Sequence, residues 1–385
     1  MTGRPQLLYH SPITVGGLAA YAHEQSQALV AAGCDVTLVT SADHQPKAEA
    51  NYTVQHLFPA RQRSAPSTPP VLRRAGTLRQ LLAQQARLAA FIAERRFKHI
   101  LMGAYVEYAA PLWAWRFRRL VADGCVFGAM VHDPVRDYVV GPGWWHRRSI
   151  AEGYSFLREA FVHAPIDLET GRPASALRTT IVPLGPFRYP PASVTGDTVR
   201  QQIGIPNTAT LLLAFGHVRD GKNLQLAIEA IADMPGVHLL VAGTAPGTAN
   251  QPIAVYQESA RRHSVEDRCH WRIGYIPDDE VSGLFAAADI VLLTYSRNFR
   301  SASGVLNTAR TFRKPCLVSS GEGNLRQVVR EYNLGAWVEP DRSDAIRGGL
   351  RAMIAQPPSP RWCDYERDNS WVANAALVID RMFLS

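Results

Sequence analysis

Two textures alternate along the chain. Runs such as PQLLYHS (5–11), CDVTLVTS (34–41), HILMGA (99–104) and CVFGAMVHD (125–133) are short and mostly apolar, as buried strands are. Between them, apolar positions recur at three- and four-residue spacing. LAAYAHEQSQALVAAG (18–33) brings Leu18, Tyr21, Ala22, Ala28 and Leu29 toward one helical face, and Gly33 supplies a C-terminal stop. LRQLLAQQARLAAFIAERRF (78–97) predicts a long amphipathic helix, and FVHAP and TTIVPLGPF add further strand-like runs.

The texture breaks at FRYPPASVTGDT (187–198), which is rich in Pro, Gly, Ser and Thr. A second series follows it: TLLLAFG, VHLLVAG, HWRIGYI, DIVLLTY, PCLVSS and GAWVEP, with helix-like segments between most of them. Strands alternating with helices of this length predict parallel sheets joined by right-handed crossovers. The expected class is therefore α/β, with two doubly wound Rossmann-like domains facing a cleft. In such sheets ligands gather beyond the carboxyl ends of the strands, so chemistry is sought there.

Composition narrows the picture. A chain of 385 residues has room for two cores, and 46% hydrophobic content describes an ordinary globular protein. No apolar run approaches the ~18 residues that span a bilayer, and MTGRPQLLYHSPI lacks the apolar core of a secretory signal. Five scattered cysteines without CxxC spacing are expected to be mostly buried thiols in a reducing, cytoplasmic setting. The net charge is +8, and between Arg61 and Lys98 nine Arg/Lys stand against one acid, Glu94. WAWRFRR (113–119) and GWWHRRS (143–149) mix tryptophan with arginine. Aromatics among cations favour an anionic membrane surface, and no helix-turn-helix, zinc-finger or RNP signature points to nucleic acid.

Candidate chemistry lies at three strand–loop–helix junctions. FGHVRDGKN (215–223) follows a strand and opens a helix; its Arg219 and Lys222 combine a planar fork with a point charge, which suits a diphosphate. Four lysines stand against 37 arginines, so Lys222 beside Gly221 looks placed. In RSASGVLNTARTFRKPCLVSS (300–320) small residues let a ligand approach the backbone, and the amides from Ser303 to Val305 would form an anion nest. ITVGGLAAYAHE repeats the device with Gly16 and Gly17, without the GxGxxG spacing of a dinucleotide site. A strand-end His132-Asp133 completes the set. DxD, P-loop and GxSxG motifs are absent, so a metal-bridged diphosphate, a P-loop ATPase and a serine hydrolase are not indicated.

With these motifs in order, the chain resembles the family 4 glycosyltransferases, a retaining family of the GT-B fold. The likeness is clearest in FGHVRDGK, LLVAG, YIPDDEVSGLFAAADIVLLTY, SGVLNTA, KPCLVSS and GAWVEP. The resemblance implies residues 1–190 as an acceptor-side domain, 191–363 as the donor-binding domain, and a final helix (364–385, with Trp371) returning to the first. It assigns Arg219 and Lys222 to the donor diphosphate, Gly16, Gly17 and Gly216 to loops against the donor, and His132 to the sugar site. Ser303, Gly304 and Val305 would meet the phosphate, and Asn307 and Thr308 the nucleoside. Many members carry two glutamates separated by seven residues; their positions hold Arg300 and Thr308 here, and Arg326 or Gln327 stands where another Glu is common.

The expected activity is a retaining, metal-independent transfer of a sugar from a nucleotide-diphosphate donor to a hydroxyl. No cofactor is expected beyond that substrate. The acceptor would be a saccharide or lipid-linked, in bacterial surface polysaccharide or glycolipid assembly at the inner face of the membrane. The missing glutamates leave open a non-catalytic nucleotide-sugar-binding or assembly-partner protein of the same shape.

Overall fold

The computed structural model describes residues 3–60, 69–132, 139, 141–171, 174, 176–245 and 251–384. The chain divides into two units, Met1–Gly185 with Ser370–Ser385, and Pro186–Asn369. The first unit carries strands β1 (Gln6–His10), β2 (Asp35–Ser41), β3 (Thr53–Phe58), β4 (His99–Met102), β5 (Val126–Met130), β6 (Glu159–Val162) and β7 (Arg178–Ile181). They form one sheet in the order β3-β2-β1-β4-β5-β6-β7, with parallel pairings. Its helices are α1 (Gly17–Ala31), α2 (Pro70–Arg95), α3 (Ala114–Ala122) and α4 (Gly143–Tyr154).

The second unit repeats the plan with β8 (Thr210–Phe215), β9 (Val237–Gly243), β10 (Cys269–Ile273), β11 (Ile290–Thr294), β12 (Cys316–Ser319) and β13 (Gly335–Trp337). Their order is β10-β9-β8-β11-β12-β13, again parallel. The helices are α5 (Gly196–Gln202), α6 (Leu224–Ala230), α7 (Ile253–Arg262), α8 (Asp278–Ala287), α9 (Gly304–Thr311), α10 (Asn324–Glu331), α11 (Ser343–Ala355) and α12 (Trp362–Asp368). The last helix, α13 (Trp371–Ile379), belongs to the first unit.

The unbroken apolar runs are explained by layers on both sheet faces. In β8, Leu211 and Leu213 join one core cluster while Leu212 joins another. Val291 and Leu293 alternate with Ile290 and Leu292 in β11 in the same way. A parallel strand covered by helices on both sides has no solvent face, so polar alternation disappears. An edge strand escapes this rule. β3 is largely half-exposed, which is why YTVQHLF lacks a continuous apolar signature.

Polar pairing as well as burial fixes α13. Gln25 of α1 donates to Asn374 Oδ1 at 2.7 Å and accepts from Tyr9 Oη at 2.8 Å. Asn374 donates in turn to the Pro183 carbonyl at 2.8 Å. These groups are buried, and satisfying them makes the helix position specific. Gly185 leaves room for the Trp371 ring, which a Cβ there would overlap.

Each sheet reverses its direction of winding once, between β1 and β4 and between β8 and β11. The loops leaving β1, β8 and β11 carry the three junctions singled out in the sequence.

Candidate functional site

The second unit brings two of the junctions together. β8 ends at Phe215, and Gly216 turns the chain with φ 90°, a conformation that disfavours any side chain. A Cβ at Gly216 would lie 3.4 Å from Lys222 Nζ and 3.6 Å from Val305 Cγ2, so this glycine, the Lys222 ammonium and the start of α9 share one place. Gly243 at the end of β9 is a glycine for a related reason: its φ is 144°, and a Cβ would run into the Gly216 carbonyl. Nothing local to LLVAG shows that requirement; it comes from the neighbouring strand.

The loop after Gly216 is laced down from both sides. Residues Asp220–Lys222 make one 3-10 turn, and Asn223 in the left-handed region starts α6. The Asp220 carboxylate accepts from Tyr256 Oη at 3.1 Å and from the Gln251 amide at 3.0 Å, so it is held by α7 and the loop before it. Thr294 Oγ1 donates to the Lys222 carbonyl at 2.9 Å, and the Ser296 amide donates to the Gly221 carbonyl at 2.9 Å. The β8–α6 loop is thereby tied to the β11–α9 loop.

At the second junction Ser303 caps α9, its hydroxyl accepting from the Leu306 amide at 3.3 Å and pairing with buried Tyr295 Oη at 2.9 Å. The Ser303 side chain is therefore structural, and any anion would meet backbone amides. The first turn of a helix leaves N–H groups without intrahelical acceptors and carries the positive end of its dipole. Gly304 is exposed, and nothing lies within 4 Å of where its Cβ would be, so a ligand has access to this end of α9.

Lys222 Nζ donates to the Phe215 carbonyl at 2.7 Å. Burial, with Arg219 repelling it, pushes its pKa down to about 7. His217 is lowered by burial and then by Lys222 and Arg219. Two cationic groups and a histidine held toward its neutral form thus share one loop, and Arg219 has no acid or hydrogen-bond partner among the described residues. A cavity of about 20 Å³ lies under the loop, lined in part by Gly216, Lys222, Thr294 and Tyr295.

Asn307 and Thr308, expected at the nucleoside, are both buried in α9. Thr308 Oγ1 is already engaged, donating to the Gly304 carbonyl at 3.3 Å and pairing with Tyr189 Oη at 3.0 Å. The Asn307 amide has no partner among the described residues despite its burial.

The remaining candidates lie in the first unit. Gly16 has φ 79° and caps α1; Gly17 is the helix's first residue, and both are exposed with no atom near a would-be Cβ. His132 follows β5; its Nε2 lies 3.2 Å from the Gly103 carbonyl, and its ring packs against Tyr21 at 4.6 Å and His163 at 5.7 Å. Burial lowers its pKa to about 4, which keeps it neutral near pH 7. Asp133 lies outside the described residues.

The cation–tryptophan signal resolves into real contacts. On α3 the guanidinium groups of Arg116 and Arg119 sit 4.3 and 4.7 Å from the Trp115 ring, and Trp144 of α4 is 60% exposed. The first part of the basic run, 61–68, falls outside the described residues. Four of the cysteines are buried thiols; Cys363 on α12 is exposed. Among the described residues no helix is long and apolar enough to cross a membrane.

Two family models match along most of the chain: "Glycosyltransferase Family 4" over residues 15–163 and "Glycosyl transferases group 1" over 196–376. The chain belongs to the family 4 glycosyltransferases. Solved structures share its fold at low identity. Sucrose-phosphate synthase from Thermosynechococcus elongatus is 16% identical with a TM-score of 0.69, covering 97% of both chains. The catalytic domain of starch synthase IV from Arabidopsis thaliana, bound to ADP and acarbose, is 12% identical with a TM-score of 0.71, covering 99% of each. Anabaena Alr3699/HepE in complex with UDP-glucose is 16% identical with a TM-score of 0.64, covering 98% of this chain and 95% of that one. No curated protein sequence matches the chain.

Proposed function

We propose that the protein transfers a sugar from a nucleotide-diphosphate donor to a hydroxyl acceptor with retention of configuration, and that Arg219, Lys222 and the first amides of α9 bind the donor's diphosphate. The observation that carries this reading is the meeting of Gly216, Lys222 and Val305 at one spot, which joins a half-buried ammonium to a helix N-terminus. Relatives of the same fold are seen with UDP-glucose and with ADP, which fits such a donor.

In this reading negative charge grows on the departing diphosphate as the glycosidic bond lengthens. Arg219, Lys222 and the Gly304 and Val305 amides are fixed before reaction and stabilise that charge without reorganising. They supply the positive charge a divalent ion would otherwise bring, so no metal is assigned a role. The leaving oxygen takes the acceptor's proton on the same face, which removes the need for a separate base. His132, neutral at working pH, orients sugar hydroxyls by hydrogen bonding. The parts given to Gly16, Gly17 and His132 rest on the family resemblance.

A panel of nucleotide sugars incubated with the protein and followed by mass spectrometry tests the reading. Release of nucleoside diphosphate from one donor, lost in Lys222→Ala, is expected. Equal release by wild type and Lys222→Ala would refute the assigned roles. No release from any donor would favour the non-catalytic reading, to which the already satisfied Thr308 hydroxyl lends weight.

We further propose that the acceptor is saccharide or lipid-linked and is met at the inner face of a bacterial membrane, on the strength of the Trp115 and Trp144 surfaces among arginines. Sedimentation with liposomes tests this. Binding that requires anionic lipid is expected, and failure to bind either neutral or anionic vesicles would refute it.

A further inference from the structure

Beyond the carboxyl ends of β11, β12 and β13, the second unit has a hollow of about 440 Å³, whose lining does not include Lys222. This volume lies in the range of small-ligand sites. Arg297, Arg300 and Arg326 line it together with Trp337, Glu322 and Glu339. Two of the arginines are occupied. Arg297 Nε pairs with Asp341 at 2.9 Å, while Arg326 pairs with Glu322 at 3.1 Å and lies 4.2 Å from the Trp337 ring centre.

Arg300 is different: no described residue offers it an acid or a hydrogen-bond acceptor. Trp337 adds a second donor without an acceptor, since its Nε1–H is buried and unpartnered among the described residues. A buried N–H left unpaired is costly, and a ligand oxygen would relieve it.

The wall carrying Arg300 is rigid. The Gly321 amide donates to the Phe299 carbonyl at 3.1 Å. A Cβ at Gly323 would come within 2.6 Å of the Arg300 carbonyl, and one at Gly321 would overlap that of Arg297. The 297–300 loop therefore lies flat on the 321–323 loop, and both glycines are required by the close approach.

We propose that this hollow binds an oxyanion-bearing saccharide, a hexuronate or a sugar phosphate. The anion accepts from the Arg300 guanidinium and the Trp337 N–H, and the sugar hydroxyls donate to Glu339. Glu339 is exposed and makes no side-chain ion pair or hydrogen bond within contact distance among the described residues, though Arg342 feels its charge; it repels a bare inorganic anion while welcoming hydroxyl groups. Given the glycosyl transfer proposed above, the anionic sugar belongs to one of the two substrates.

Equilibrium titration, independent of turnover, tests the site with four probes: glucuronate, glucose 6-phosphate, glucose and inorganic phosphate. One charge-assisted contact corresponds to about tenfold in affinity. Glucuronate or glucose 6-phosphate is expected to bind about tenfold more tightly than glucose and than inorganic phosphate. Which of the two prevails tells carboxylate from phosphate. Arg300→Gln should remove that advantage and Trp337→Phe should reduce it, both read with glucuronate, which carries no phosphate for the Lys222 loop to hold. The proposal is overturned by glucose binding equally well, by inorganic phosphate matching the sugars (an adventitious ion only), or by no binding at all. An unaltered Arg300→Gln also overturns it. Failure of donor turnover with this binding intact would strike the proposed reaction alone.

Discussion

The two units share one topology yet treat the same junction in opposite ways. After β8 the chain passes through Gly216 into a turn bearing Arg219 and Lys222, and partial burial beside Arg219 lowers the pKa of the ammonium to about 7. After β1 it passes through Gly16 and Gly17, which are exposed and carry no charge. His132, one of several titratable groups beside the first unit's strand ends, is held neutral by burial. A doubly wound sheet thus supplies the position of a site, and the loop residues supply its chemistry. One unit concentrates fixed positive charge; the other offers bare backbone and a neutral imidazole.

The largest expected break in this comparison is Lys222→Ala. Loss of one preorganised donor to a departing oxyanion costs about 3 kcal/mol of barrier, on the order of a hundredfold in transfer rate, measured as kcat on the active donor. The same truncation of His132, to Asn, should leave the rate's dependence on pH between 6 and 8 unchanged, because a group with a pKa of about 4 does not titrate there.

Acid stability sharpens the contrast next. His132 is held at about 4 and His163 at about 3, both below the ordinary 6.5, with burial as the main cause. The unfolded chain therefore binds more protons than the folded one as pH falls below 6.5, and stability declines toward pH 4. A loss on the order of 2 kcal/mol per histidine is expected from denaturant titrations at pH 6.5 and 4, reduced in His132→Asn.

Smaller again is the backbone effect. Gly16→Ala places a side chain at φ 79°, a cost of about 1–3 kcal/mol, whereas Gly17→Ala sits inside α1 and should be neutral or slightly stabilising. Thermal unfolding of the two variants separates them; equal melting temperatures would contradict the account of Gly16.

The smallest effect concerns Lys222 and pH. Diphosphate binding requires the charged ammonium and raises its pKa, so binding takes up a proton above pH 7. Affinity should be flat below pH 7 and fall by up to about tenfold per unit above it, and Lys222→Arg should flatten the slope.

Much of this was legible in the sequence because continuous apolar strands and glycine-framed turns are local signals. TLLLAFG, DIVLLTY and PCLVSS fall on β8, β11 and β12, and the Arg219–Lys222 turn sits where the strand–loop–helix pattern puts it. Long-range packing was not legible. That Gly243 clears the Gly216 carbonyl depends on β9 lying beside β8. That Tyr295 holds the Ser303 cap, and that Thr308 already has partners, depends on loops and helices meeting in space. β3 went unseen because an edge strand need not be apolar. The hollow around Arg300 is not legible locally because its walls come from loops, α10 and the end of β13, far apart in sequence, although Arg300 itself stands out as a cation where an acid is common.

Titration calorimetry of UDP and ADP against the corresponding monophosphates, on wild type and on Lys222→Ala, tests the central claim most directly. The account predicts that wild type prefers one diphosphate to its monophosphate by about tenfold or more, and that the preference vanishes in the folded variant. An undiminished preference in Lys222→Ala would contradict it.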